Sequence, residues 1–99
     1  MRVISRKILQ EFCKSHYDSC TALEQWYRIA SKAPWQNLLE VQQTYKTAEA
    51  VGNFTVFNIK GNSYRLIADV IYTRQTIYIK YIFTHAEHDK GGWKNDPYF

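Results

Sequence analysis

Seven consecutive residues, Thr84-His85-Ala86-Glu87-His88-Asp89-Lys90, hold two histidines, two carboxylates and a lysine. Imidazole titrates near pH ~6.5, so either histidine can take or give a proton at neutrality. Arg65 is the second residue that asks for a reason. It sits inside an apolar run built from Leu66, Ile67, Val70 and Ile71. A guanidinium in a strand is costly unless it faces water or a partner. It can be an exposed residue paired with Asp69 on the same strand face. It can equally be a fixed phosphate clamp, because its planar fork matches phosphate oxygens.

Together these residues contain the parts that RNA cleavage needs. The 2′-hydroxyl attacks the neighbouring phosphorus once a base removes its proton. An acid protonates the leaving 5′-oxygen, and cations stabilise the charged intermediate. His85 is the first candidate for proton transfer and His88 the second. Arg65 and Lys90 supply catalytic charge. Lys60, Asn62, Lys80 and Lys94 are candidate RNA contacts, and Trp93 is a candidate stacking platform.

Two other readings compete for the same cluster. His85, His88 and Asp89 can serve as three metal ligands, but the spacing is unspecific and no further ligand set is visible. The run can also be a solvated strand end. Cys13-x-x-His16-x-x-x-Cys20 hints at zinc but lacks a fourth ligand, so buried or half-buried thiols are expected. No metal and no cofactor is assigned. Trp93, Tyr98 and Phe99 have no periodic reason to be buried; they can stack on bases or pin the tail to the sheet.

The elements that must position these groups are legible in part. The chain has 99 residues, 45% hydrophobic and 22% charged, which suits one folded domain spanning residues 1–99. A net charge of +4 suits a polyanionic partner without requiring one. No apolar run approaches the roughly 18–20 residues of a membrane span. "MRVISRK" lacks the apolar segment of a signal peptide. Two cysteines do not make a disulfide framework, so a reduced, cytoplasmic setting is expected.

Residues 1–4 read as a strand. Ser5 can cap a helix whose face carries Ile8, Leu9 and Phe12. Asp18 or Thr21 can open a second helix, Thr21 and Glu24 forming a capping box, with Leu23, Trp26, Tyr27 and Ala30 as its apolar stripe. Pro34 ends it. Residues 35–53 suggest only a turn of helix or extended chain. Three strands follow, "FTVFNIK", "YRLIADVIY" and "TIYIKYIFTH". Gly61-Asn62 suits a type II′ hairpin turn between the first two. Strict alternation on the last strand puts Ile77, Ile79, Tyr81 and Phe83 on the helix-covered face. The tail, about residues 91–99, is expected to be loose or draped. The predicted order β-α-α-β-β-β is an α+β layer arrangement.

Two stretches, "VFNIKGNSYRLIADVIY" and "IYIKYIFTHAEHDKGGWK", resemble the HigB-type toxins of bacterial type II toxin–antitoxin systems, in the RelE/ParE-like superfamily of mRNA interferases. The motif is Asn62-x-x-Arg65-Leu66 followed by Thr84-His85-x-Glu87-x-Asp89-Lys90, and the match covers residues 54–94. The resemblance implies a RelE-like fold with an N-terminal strand and a two-helix hairpin on a twisted antiparallel sheet. It implies metal-independent cleavage of mRNA on the ribosome, and neutralisation by a HigA-type antitoxin with a helix-turn-helix domain. Arg65, His85, Glu87, Asp89 and Lys90 match by position. His88 stands where the family usually has tyrosine. The superfamily also contains members directed at gyrase, so a non-catalytic RNA- or protein-binding module on the same fold is the alternative.

Overall fold

The computed structural model describes all residues, Met1–Phe99. Strand β1 (Arg2–Ile4) leads into helices α1 (Arg6–Ser15) and α2 (Cys20–Lys32), then a short helix α3 (Leu38–Thr44). Strands β2 (Glu49–Val51), β3 (Phe54–Ile59), β4 (Tyr64–Ile71) and β5 (Thr76–Thr84) follow, and helix α4 (His85–Asp89) succeeds β5 directly. The sheet order is β1-β5-β4-β3-β2. The β2 to β5 pairings are antiparallel, and β1 returns parallel to β5 with Arg2 opposite Thr76. The structure is thus the expected α+β arrangement, with α3, β2 and α4 added to it.

Local chemistry accounts for most boundaries. Ser5 accepts from the Lys7 amide and starts α1. Asn37 accepts from the Glu40 amide and starts α3, in the segment the sequence left vague. The Thr21–Glu24 capping box does not form. Helix α2 begins earlier, at Cys20, because a 3-10 turn at Tyr17–Ser19 feeds straight into it. The β3–β4 connection is a four-residue loop, with Lys60 and Gly61 both at positive φ, rather than a two-residue type II′ turn. Cys13 and Cys20 are not free thiols; they are joined, tying the end of α1 to the start of α2.

The sheet is buried on both faces. Leu9, Leu23, Trp26 and Ala30 from the helices pack on Phe57, Leu66, Ala68, Ile77, Ile79 and Ile82. On the opposite face Phe54, Val56 and Ile67 pack under Trp93, with Tyr81, Phe83 and Phe99 around them. Strict alternation fails on β5. Ile67 pairs with Tyr81 but Ala68 pairs with Ile79, so Lys80 is bulged out of register. The bulge reverses the faces beyond it. Ile82 turns toward the helices, while Tyr81 and Phe83 turn to the other face.

The tail is held rather than loose. Trp93 is 4% exposed, inside a 3-10 turn at Gly92–Asn95. The Asn53 amide donates to the Phe99 carbonyl at 2.7 Å. Phe99 also lies so close to Gly52, whose φ is +59°, that a side chain there has no room.

Candidate RNA-binding and catalytic site

Arg65 is placed by β4 on the face away from the helices, opposite Phe83 on β5 and Asn58 on β3. Directly paired residues project to the same face and are side-chain neighbours. Arg65 is only 7% exposed. Its Nη1 donates to the Asn62 and Tyr64 carbonyls, at 3.2 and 3.1 Å. Its Nη2 donates to Asn62 Oδ1 and to His85 Nδ1, both at 2.8 Å. All four acceptors are neutral. The expected partner Asp69 lies beyond Ile67 on the same strand, roughly 13 Å along the backbone, and makes no ion pair with it. Arg65 is therefore a buried, oriented cation with no carboxylate against it.

His85 reaches this spot because the charged run is a helix, not a strand end. Thr84 caps it. Its hydroxyl accepts from the Glu87 amide, and Glu87 Oε1 accepts from the Thr84 amide at 2.9 Å. The signature Thr84-x-x-Glu87 is a capping box that the sequence contained and the strand reading passed over. Hydrogen bonding from Thr84, first its amide and then its side chain, holds the Glu87 carboxyl below its ordinary range. The His85 amide donates to the Ser63 carbonyl, stitching α4 to the β3–β4 loop that carries Asn62.

A guanidinium only donates, so His85 Nδ1 is the unprotonated nitrogen of this pair. The proton of the neutral ring is then on Nε2, which points at Asp89 Oδ2, 3.2 Å away. Asn62, Arg65, His85 and Asp89 form one chain of contacts running from the β3–β4 loop to the end of α4.

The other predicted residues divide. His88 stacks on Trp93, with ring centroids 5.3 Å apart. Both its nitrogens are shielded and without a hydrogen bond. Burial, then the Arg65 charge, pushes its pKa down, against an opposing pull from Asp89. The structure thus places the two histidines differently: the His88 nitrogens are shielded, whereas His85 Nδ1 meets the Arg65 guanidinium. Trp93 is equally covered and is not a free platform. Lys80 does not project to solvent. It bonds to Asp96 at 3.4 Å and lies over the Tyr98 ring. Lys60 is paired with Asp18 at 2.9 Å. Asn62 holds Arg65. Lys90 and Lys94 are exposed and carry no ion pair.

Four residues that the sequence did not assign to the site complete the surroundings. Asp18 accepts from Tyr64 and Lys60, which clamps the α1–α2 turn onto the β3–β4 loop. Those bonds keep its carboxyl below the usual range. Asp96 accepts from Tyr81 at 2.7 Å. Tyr81 and Phe83 stack together, centroids 5.3 Å apart, and floor a groove of ≈ 390 Å³ lined also by Glu87, Lys90, Gly92 and Trp93. No local sequence signal marks Asp18, because its partners lie 42 and 46 residues away. A larger cleft of ≈ 590 Å³ opens where β1 stops, between Ile4, Ile8, Ile71 and Tyr98, and contains Lys80 alone of the predicted site residues. No three of the His, Cys, Asp and Glu side chains converge as a metal-binding group. No helix is long and apolar enough to cross a membrane.

Comparison with known proteins agrees with this architecture. The family profile described as HigB_toxin, RelE-like toxic component of a toxin-antitoxin system, matches residues 19–91. A protein named mRNA interferase HigB, from Escherichia coli O6:H1 (strain CFT073), is 24% identical over 93 residues, covering 91% of this chain and 90% of the relative. The profile spans most of the chain, including the β3–β4 loop, Arg65 and α4, and the chain belongs to the HigB family of RelE-like toxins of toxin–antitoxin systems.

Proposed function

We propose that this toxin is an endoribonuclease that cleaves mRNA without a metal, on the translating ribosome in the cytoplasm. In this reading a HigA-type antitoxin carrying a helix-turn-helix domain neutralises it. The observation that carries the reading is Arg65, a buried guanidinium with four neutral acceptors, one of them the basic nitrogen of His85.

The Arg65–His85 bond is a resting contact that substrate divides. A non-bridging phosphate oxygen takes Arg65 Nη2, and the 2′-hydroxyl takes His85 Nδ1. The hydroxyl proton passes to Nδ1 as the O2′–P bond forms. Asp89 stabilises the resulting imidazolium through Nε2–H. The P–O5′ bond breaks and the 5′-oxygen receives a proton from Lys90. The products are a 2′,3′-cyclic phosphate and a 5′-hydroxyl. Arg65 acts as a fixed charge where negative charge develops, which costs no reorganisation at the moment of reaction. Lys94 holds the RNA backbone, and that contribution weakens with salt.

The test is incubation with translating ribosomes and message, with and without EDTA, followed by mapping of the ends. The expected result is cleavage that survives EDTA, with cyclic-phosphate ends, and none with Arg65→Ala or His85→Ala. Loss with EDTA, while the ribosomes stay intact, contradicts the metal-free mechanism. RNA retained but uncut identifies a binding module instead. Growth arrest relieved by co-expression of a HigA-type helix-turn-helix protein tests the antitoxin.

A further inference from the structure

The groove beside Arg65 has the chemistry of a nucleobase site. Phe83 lies directly opposite Arg65 across the β4–β5 pair, so the groove begins at the candidate phosphate position. Its floor is the stacked, half-buried pair Phe83 and Tyr81. One wall is the exposed Glu87 and Lys90, and the other is the turn at Gly92 and Trp93. The floor is rigid. The Tyr81 hydroxyl is tied to Asp96, which also takes the Tyr98 amide at 2.8 Å. The wall is rigid too, because Glu87 Oε1 is fixed by the capping box. Glu87 Oε2 has no protein partner. An aromatic floor, a fixed carboxylate rim and a lysine meet within one strand residue of a buried cation.

From this we infer that the groove holds the base next to the cleaved phosphate, and that Glu87 selects guanine. The inference rests on the endoribonuclease reading for the position of the phosphate. A base stacked on Phe83 turns its Watson–Crick edge toward the rim. Guanine alone presents two adjacent donors there, N1–H and the N2 amino group, to an acceptor-only carboxylate. Adenine and cytosine set one donor beside a lone pair that the carboxylate repels. Uracil offers one donor between two acceptors.

The probes are end-labelled 2′-fluoro oligouridylates, which cannot be cleaved, carrying one central guanine, hypoxanthine or adenine. Fluorescence anisotropy with the full chain should give at least about tenfold tighter binding for guanine than for either alternative. Glu87→Gln preserves the capping box, since glutamine also serves at that position, and should erase the preference or move it toward adenine. Phe83→Ala should weaken all three probes alike. Equal affinity for the three probes overturns the inference, as does a guanine preference that survives Glu87→Gln. A groove that takes a protein side chain instead gives that equal-affinity result. Mapping cut sites on translated message separates this from the parent reading. Cleavage with no base enriched beside the cut leaves the nuclease standing and removes the guanine site. Guanine-selective binding without cleavage does the reverse.

Discussion

Arg65 Nη2 and His85 Nδ1 meet at 2.8 Å across 20 residues of chain, and the bond assigns both groups. The guanidinium is held with its charge unanswered. The imidazole is held with its basic nitrogen facing that charge. Neither arrangement favours the folded state as strongly as a neutral pair would, which is common where a site is kept ready for an anion.

A first consequence concerns stability against activity. Arg65→Met replaces a buried charge by an apolar chain beside Phe83. Growth arrest should be abolished, while Tm stays level or rises, roughly 4–8 °C for each kcal/mol recovered in a domain this small. Arg65→Lys keeps the charge but cannot satisfy four acceptors, and should lose about 10²-fold or more in cleavage. Thermal unfolding and an end-mapping assay on the same preparations check both. A Tm well below wild type for Arg65→Met would contradict the uncompensated-charge account.

The two partners of His85 are not equal. Asp89 is 61% exposed and Arg65 is buried. His85→Ala should cost about 10²–10⁴-fold in rate, the range for a lost general base. Asp89→Asn should cost less than about tenfold, because solvent screens an exposed carboxylate. The fall should be in kcat with KM unchanged, since Asp89 acts on the imidazolium rather than on bound RNA. Single-turnover kinetics on one defined message measure both.

His88 should be replaceable. It stacks on Trp93 with both nitrogens shielded, so His88→Phe should retain cleavage within about tenfold, far short of a lost proton-transfer group. His88→Tyr should do the same. Stability gives a second reading. Burial holds the folded pKa of His88 below its free value of 6.5. Below that pH the unfolded chain takes a proton that the native chain resists. Its contribution is therefore complete above 6.5 and declines as pH falls toward the folded value. Glu87, Asp18 and Asp96 have lowered pKa values, so their contributions persist lower, being lost only as pH falls through their folded values. Urea midpoints measured from neutral pH to about pH 5 should slope for wild type and flatten for His88→Phe.

Asp96 is the latch of the tail. It accepts from Tyr81, the Tyr98 amide and Lys80. Asp96→Ala should release residues 96–99, and hydrogen exchange at the Asn53 amide, bonded to the Phe99 carbonyl, should accelerate. Lys80 would then be free, and RNA affinity should acquire a steeper salt dependence. Unchanged exchange at Asn53 would show that Phe99 and Gly52 hold the tail alone.

The sequence by itself determined the strand-and-helix layout. Apolar spacing in α1 and α2 and the β-branched runs of β3 to β5 are local patterns, and local patterns survive in one dimension. It also marked the candidates for proton transfer and charge, because Arg65, His85, His88 and Lys90 are conspicuous by type. The capping box at Thr84 and Glu87 was present to be read, and it is what makes the charged run a helix. Only the tertiary structure decided what each group touches. The bulge at Lys80 has no marker in the alternation around it, yet it turns Tyr81 and Phe83 from the helix face to the groove. Lys60 and Lys80 look like free cations until Asp18 and Asp96 arrive from distant segments. His88 and His85 are three residues apart on α4, both near Asp89, and differ in what else the fold sets against them: a tryptophan ring and shielded nitrogens for one, a guanidinium for the other. Burial and partner choice arise from contacts between segments far apart in the chain, and those contacts separate the arginine-bonded histidine from the packed one.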